Sequence, residues 1–78
     1  MKISFRDKWI VKFAAVEAAH CENEKCHNVM GAIINILKNP MDVAELVVIS
    51  RNAMVDEDIP EYVREIIKEF LKELPSAV

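Results

Sequence analysis

Several residue types are scarce or missing in this sequence. It contains no threonine and no glutamine, and it has 1 glycine and 3 prolines in 78 residues. So little glycine and proline excludes collagen-like and linker-like chains. Hydrophobic residues make up 53% of the chain and charged residues 29%, which excludes intrinsic disorder. The length leaves no room for a second core, so we expect one helical domain over residues 1–78.

Long apolar runs are also missing. The longest stretch without a charged side chain runs from Cys26 to Leu37, well short of the about 20 apolar residues that span a bilayer. Arg6, Asp7 and Lys8 stand where a signal peptide has its apolar region. We therefore expect no membrane association and a cytoplasmic location, in which both cysteines are reduced. The net charge of −3 does not indicate a polyanionic partner.

The chain is short for its hydrophobicity. A chain of this length buries only about 60–65% of the surface that it exposes when unfolded, yet more than half of its residues are hydrophobic. Apolar surface is therefore expected to remain after one core has formed. Such surface is usually covered by a dimer interface or by a partner protein.

Hydrophobic spacing predicts an all-α fold, a compact bundle of four short helices with short connections. The predicted helices cover residues 5–20, 24–38, 40–52 and 60–74. Apolar side chains at helical spacing supply the predicted core, which consists of Phe5, Trp9, Phe13, Val16, Met30, Ile33, Leu37, Leu46, Ile49, Val63, Ile66, Ile67, Phe70 and Leu71.

Capping residues mark the predicted helix ends. Ser4 is a good N-cap for the first helix and Asn23 for the second. Asn39 followed by Pro40 suits the start of the third helix, and Pro75 suits the end of the fourth.

Two features of the predicted helices have packing consequences. Gly31 lies inside the second helix, which favours a close crossing with the alanine-rich residues 14–19 of the first. Residues 46–49 of the third helix are apolar on nearly all sides, so we expect burial from several directions, and a buried strand is the alternative there.

Four potential zinc ligands lie at the predicted turn between the first two helices: His20, Cys21, Cys26 and His27. Structural zinc sites space their ligands as C-x₂₋₄-C and H-x₃₋₅-H, and the two cysteines meet that spacing. Each histidine, however, adjoins a cysteine, and neighbours on a helix point about 100° apart. The favoured interpretation is therefore a pair of reduced core cysteines. A zinc-stapled hairpin and a Cys21–Cys26 disulfide are the alternatives.

Acidic residues concentrate late in the chain. Residues 56–78 carry seven acidic and three basic side chains, a net charge of −4. We call Glu61, Glu65, Glu69 and Glu73 the acidic row. These residues are spaced four apart on the fourth helix, where i,i+3 pairs with Arg64, Lys68 and Lys72 would offset their mutual repulsion. The acidic row is a candidate docking surface for a basic partner, and Met41 and Met54 are candidate contact residues if they are exposed.

One segment resembles a known family. Residues 42–47, with Ile59-Pro60 after them, are similar to the second helix of acyl carrier proteins and the segment that follows it. A shared four-helix fold is what the resemblance implies. In that family a serine just before this helix carries the phosphopantetheine arm, and the matching position here is Pro40, so no carrier chemistry is implied.

The functional prediction is a non-catalytic protein-interaction module, a regulator or inhibitor of a larger assembly that acts through exposed apolar surface rimmed by charge. Its partner would be another protein or a second copy in a homodimer, and no cofactor is expected besides the zinc alternative. A helical nucleic-acid-binding domain is a further alternative, based on polar and basic residues of the middle helices. These are Asn35, Lys38, Asn39, Arg51 and Asn52.

Overall fold

Four α-helices follow one another along the chain: α1 (Phe5–His20), α2 (Glu24–Lys38), α3 (Val43–Met54) and α4 (Glu61–Ala77). The computed structural model of the protein describes residues 4–38 and 42–77, with side chains as far as Leu74. The predicted all-α bundle is confirmed, and residues 43–49 are helix rather than strand. The radius of gyration, 11.6 Å, is close to the ~11.5 Å expected of a compact chain of this length.

Side-chain caps fix where three of the helices begin. The Ser4 hydroxyl accepts a hydrogen bond from the Asp7 amide at 3.1 Å, and the Asn23 carbonyl oxygen accepts one from the Cys26 amide at 2.8 Å. These caps place α1 and α2 where the sequence predicts them. In α3 it is Asp42 that caps, so the helix begins at Val43 and the predicted start at residue 40 is wrong. The predicted N-cap, Asn39, and the predicted first helical residue, Pro40, lie outside the described residues.

Two helices end later than predicted. The third helix continues to Met54, and the fourth continues through Pro75 to Ala77. A proline in the last turn removes a single backbone hydrogen bond, the one its missing amide would donate to the carbonyl of Leu71. The predicted end of α4 at residue 74, which rests on the rule that a helix usually stops before a proline, is therefore wrong.

The core is built on an aromatic cluster where α1 meets α4. Phe70 of α4 packs edge-on against Trp9 and Phe13 of α1, with ring centroids 5.1 Å apart in both pairs. Phe5 stacks on Phe70 at 5.7 Å and closes the end of the cluster. The fully or almost fully buried hydrophobic residues are Trp9, Phe13, Val16, Cys26, Met30, Ile33, Leu37, Leu46, Ala53, Ile59, Val63, Ile67, Phe70 and Leu74.

Four predicted core residues are only partly buried: Phe5, Ile49, Ile66 and Leu71. Each flanks the central stripe of its helix, and in a bundle this small such positions lie at the edge of the core. Conversely, Ala53, Ile59 and Leu74 are buried, although the predicted core did not include them. Ile59 is buried because the connection between α3 and α4 folds over the end of the bundle.

The close crossing predicted at Gly31 is not present. Gly31 is exposed, and a Cβ added there would lie 3.9 Å from the Glu17 carboxylate and meet nothing nearer. The alanines of α1 at 14, 15, 18 and 19 are exposed as well. The larger side chains of both helices are buried instead, with Phe13 and Val16 of α1 and Met30 and Ile33 of α2 in the same core cluster.

The two connections at one end of the bundle are joined by polar contacts. The Asn23 amide donates to the backbone carbonyl of Asp58 at 2.8 Å. The Lys25 ammonium contacts the carboxylates of Asp56 at 2.6 Å and Asp58 at 3.2 Å. These contacts hold the α1–α2 turn against the α3–α4 connection.

Candidate functional site

An open groove runs between α3 and α4. It encloses about 440 Å³, within the 300–1,000 Å³ range of ligand pockets. We call it the α3–α4 groove; it is lined by Val43, Val47, Arg51, Met54, Lys68, Leu71, Lys72 and Leu74. Five of these side chains are hydrophobic and three are cationic, which is the chemistry of a binding surface with an apolar floor.

The pattern of α3 explains why the groove exists. Leu46, Ser50 and Ala53 lie on the buried face of this helix, whereas Val43 and Val47 lie one step around it, on the wall of the α3–α4 groove. The expectation that residues 46–49 are buried from several directions is therefore wrong. Among the four described helices, α3 contacts α2 and α4 but not α1, and Val48 is 59% exposed.

The charged side chains that line the α3–α4 groove are all cationic. Arg51 lies on the α3 wall, and Lys68 and Lys72 lie on the α4 wall. All three residues are exposed, and within the described part of the chain none of them forms an ion pair. The groove is thus a local concentration of positive charge in a protein whose net charge is −3.

The i,i+3 ion pairs predicted on α4 are not formed. Lys68 and Lys72 point into the α3–α4 groove, and Arg64 instead donates its Nε–H to the backbone carbonyl of Ile59 at 3.0 Å. Glu73 pairs with Lys8 of α1 at 2.8 Å. The hydrogen bond from the Lys8 ammonium lowers the pKa of the Glu73 carboxyl below its usual value.

This arrangement separates the charges of α4. The pairing of Glu73 with α1 places the end of the acidic row on the side of α4 away from the groove. Glu61, Glu65 and Glu69 are exposed. The acidic row therefore does not rim the α3–α4 groove, and its role as a docking surface stays a prediction.

Three of the four methionines bear on the predicted core and contact residues. Met54 is partly buried and lines the α3–α4 groove, as a contact residue would. Met30 is fully buried in the core. Met41 lies outside the described residues.

The two cysteines among the four potential zinc ligands form a disulfide. Cys21 and Cys26 are bonded to each other with their Cα atoms 5.4 Å apart, so the expectation of two reduced cysteines is wrong. Cys26 is fully buried, as predicted for a core residue, and Cys21 is partly exposed. The His20 ring lies 4.2 Å from that of Tyr62, and His27 is exposed.

This geometry does not assemble the four ligands of the zinc alternative. Among the described residues no group of three or more histidine, cysteine or acidic side chains is placed to hold a metal ion. Both sulfur atoms are used by the disulfide. A zinc site at His20, Cys21, Cys26 and His27 stays a prediction for the reduced chain.

Electrostatics also shape the end of the bundle where the connections meet. Hydrogen bonds from Lys25 lower the pKa of the Asp56 carboxyl, and the backbone amide of Asp58 adds to the effect. The same contacts with Asp56 and Asp58 raise the pKa of Lys25. Both partners are therefore held in their charged forms.

The candidate nucleic-acid contacts do not share one surface chemistry. Arg51 belongs to the α3–α4 groove, and Asn52 next to it is exposed. Asn35 and Lys38 are exposed on α2, and residue 39 lies outside the described part. A second depression, between α2 and α3, has both Glu24 and Lys25 on its rim and so lacks a single sign of charge.

The sequence contained a partial signal for the α3–α4 groove. The apolar residues on nearly all sides of α3 indicate more hydrophobic surface than one core face needs, but they do not show which side stays open. Lys68 and Lys72 were missed as groove residues because their spacing from Glu65 and Glu69 suggested ion pairs.

Comparison with known proteins adds no relative. The chain matches no protein-family model, no curated protein and no solved structure. Within the described residues, no helix combines the length and the hydrophobicity needed to cross a membrane.

Proposed function

We propose that this protein is a small non-catalytic interaction module that holds an apolar helical segment of another protein in the α3–α4 groove. The observation that carries the proposal is the apolar floor, formed by Val43, Val47, Met54 and Leu71 and left uncovered between two helices. A helix laid into such a groove presents apolar anchors at positions i, i+3, i+4 and i+7. Aliphatic lining side chains offer contact area rather than a nucleophile or a general base, which supports binding without turnover.

A regulator or inhibitor of a larger assembly is the role that fits this design. The groove could also be covered by a second copy of the chain, as in the predicted homodimer. Val11, Val48, Val55 and Tyr62 are further large hydrophobic side chains that are exposed outside the groove.

The cytoplasmic location stays part of the proposal. The Cys21–Cys26 disulfide weighs against it, because cytosolic thiols are kept reduced. Acid quenching of the cells that make the protein, followed by alkylation of the denatured chain, decides between the two: two modified cysteines support the cytoplasm, and none supports an oxidising compartment.

Two neighbouring valines give a matched test. Val47 lines the α3–α4 groove, whereas Val48, the next residue, is 59% exposed and outside it. A displayed library of helical peptides with an apolar stripe and random flanking residues is selected against the wild-type protein. Val47→Asp should weaken the selected peptides by tenfold or more, since it removes a buried aliphatic contact and adds a charge to the apolar floor. Val48→Asp should leave their affinity unchanged.

Two outcomes would overturn the proposal. One is a selection that yields no peptide distinguishing wild-type protein from Val47→Asp. The other is equal loss of binding in both variants. Light scattering across a range of protein concentrations identifies a second copy as the occupant, if the mass doubles in wild-type protein and not in Val47→Asp.

A further inference from the structure

The charged side chains at the rim of the α3–α4 groove restrict which occupant fits, in addition to the apolar floor. Three cations surround the groove, and none is neutralised by a carboxylate within the described part of the chain. Glu73, the last residue of the acidic row, is directed toward α1 by its contact with Lys8, and the other three glutamates of that row are exposed and are not among the residues that line the groove. An occupant therefore meets three cationic side chains that form no ion pair within the described residues.

The positions of the cations define where opposite charge is needed. Lys68 and Lys72 are four residues apart on α4, so their backbones are separated by about 6 Å along one wall. Arg51 stands on the opposite wall, on α3. Negative charge is thus called for on both sides of the apolar floor.

We propose, as a deepening that rests on the proposed function, that the α3–α4 groove recognises an amphipathic helix whose apolar stripe is flanked on both edges by Asp or Glu residues. Such a segment places aliphatic side chains against Val47 and Leu71 and brings carboxylates to Arg51 and to the two lysines. Charge complementarity of this kind selects partners and speeds their encounter.

Other occupants fit the groove less well. An alkyl carboxylate has one charged headgroup, and it would leave the cations of the opposite wall uncompensated. A nucleic acid offers phosphates, but it has no aliphatic surface for the floor. A second copy would have to expose the apolar stripe next to its own acidic row, and Val63, Ile67 and Phe70 of that stripe are fully buried in the core.

The test compares three synthetic helices with one apolar stripe and with Glu, Gln or Lys at the flanking positions. Affinity is measured by fluorescence anisotropy at low salt and at about 0.5 M salt. The Glu-flanked helix should bind about tenfold more tightly than the Gln-flanked helix at low salt, because three exposed ion pairs of modest strength act together. The Lys-flanked helix should bind more weakly still, and the differences should shrink at high salt.

A charge swap supplies the control. The double variant Lys68→Glu with Lys72→Glu should reverse the order on that wall, so that the Lys-flanked helix gains affinity. The matched control is Lys38→Glu, an exposed lysine on α2 outside the groove, which should leave the order unchanged. Circular dichroism checks that each variant remains helical.

The outcomes separate the two proposals. If all three helices bind equally and Val47→Asp abolishes binding of each, the inference about charge is overturned while the proposed function stands. If Val47→Asp has no effect on any helix, the proposed function fails. If dodecanoate displaces the Glu-flanked helix at concentrations at which dodecanol does not, and binds at least as tightly as that helix, the site belongs to an anionic amphiphile and the inference is overturned.

Discussion

Gly31→Ala should stabilise the protein. Gly31 lies inside α2, where glycine costs about 1 kcal/mol relative to alanine because it loses more backbone freedom on folding. The structure leaves room for the new methyl group, since a Cβ at this position meets only the Glu17 carboxylate, at 3.9 Å. That distance is an ordinary van der Waals contact, so no steric cost offsets the gain. The expected change is an increase of about 1 kcal/mol in the free energy of unfolding, or about 4–8 °C in Tm for a domain of this size.

Urea unfolding, followed by circular dichroism and by the fluorescence of Trp9, measures the change. Trp9 is the single tryptophan and is fully buried, so its emission reports loss of the core. Ala18→Gly, at an exposed position of α1, is the reverse control and should destabilise by a similar amount. A Gly31→Ala protein that is less stable than wild type would contradict the argument, because it would mean that another helix approaches α2 more closely than the structure shows.

Three further predictions concern the disulfide, a buried hydroxyl and acid stability. Reduction of the Cys21–Cys26 disulfide, whose cysteines are 5 residues apart, should lower the free energy of unfolding by about 2 kcal/mol on the chain-entropy argument. Denaturation with and without a thiol reductant measures this difference, and an unchanged free energy of unfolding would contradict the prediction. Ser50→Ala should raise the free energy of unfolding by about 1 kcal/mol, since the Ser50 hydroxyl is fully buried and lacks a hydrogen-bond partner among the described residues; a loss of stability would reveal a partner for the hydroxyl. The Lys8–Glu73 contact lowers the pKa of Glu73 from its ordinary 4.5, so the contact stabilises the fold above that pH and this stabilisation is lost as the pH falls through the folded pKa. The free energy of unfolding of Lys8→Ala should therefore fall less than that of wild type between about pH 6 and about pH 3 in urea titrations. Equal losses in the two proteins would show that the pair contributes nothing.

Much of the fold follows from local signals. The bounds of α1 and α2 are predicted correctly because their caps, Ser4 and Asn23, are read within one turn of the helix start. The start of α3 is predicted wrongly because Asn39 and Asp42 both belong to the residue types preferred at an N-cap, and Pro40 after Asn39 suits a first helical position. Only the observed Asp42–Glu45 hydrogen bond distinguishes the residue that caps α3.

The candidate site depends on non-local facts. The exposure of Val47 depends on how many helices pack around α3. The spacing of apolar residues along α3 itself does not reveal how many neighbouring helices there are. Gly31 shows the same limit, because a glycine inside a helix is compatible both with a close crossing and with open space. The partner of Glu73 is Lys8, 65 residues away, whereas the sequence pattern favoured partners within one turn.

The charge at the α3–α4 groove depends on the partners of the charged residues of α4. If Lys68 and Lys72 paired with the glutamates three positions before them, Arg51 would be the only unpaired cation among the residues that line the α3–α4 groove. Instead, Glu73 compensates Lys8 at the contact with α1, and the lysines are left to face the groove. A net charge of −3 therefore coexists with a groove whose charged lining side chains are cationic, and an approaching molecule responds to this local charge. The acidic row, prominent in the sequence, predicts a basic partner, whereas the acidic partner that we propose follows from where the fold places Arg51, Lys68 and Lys72.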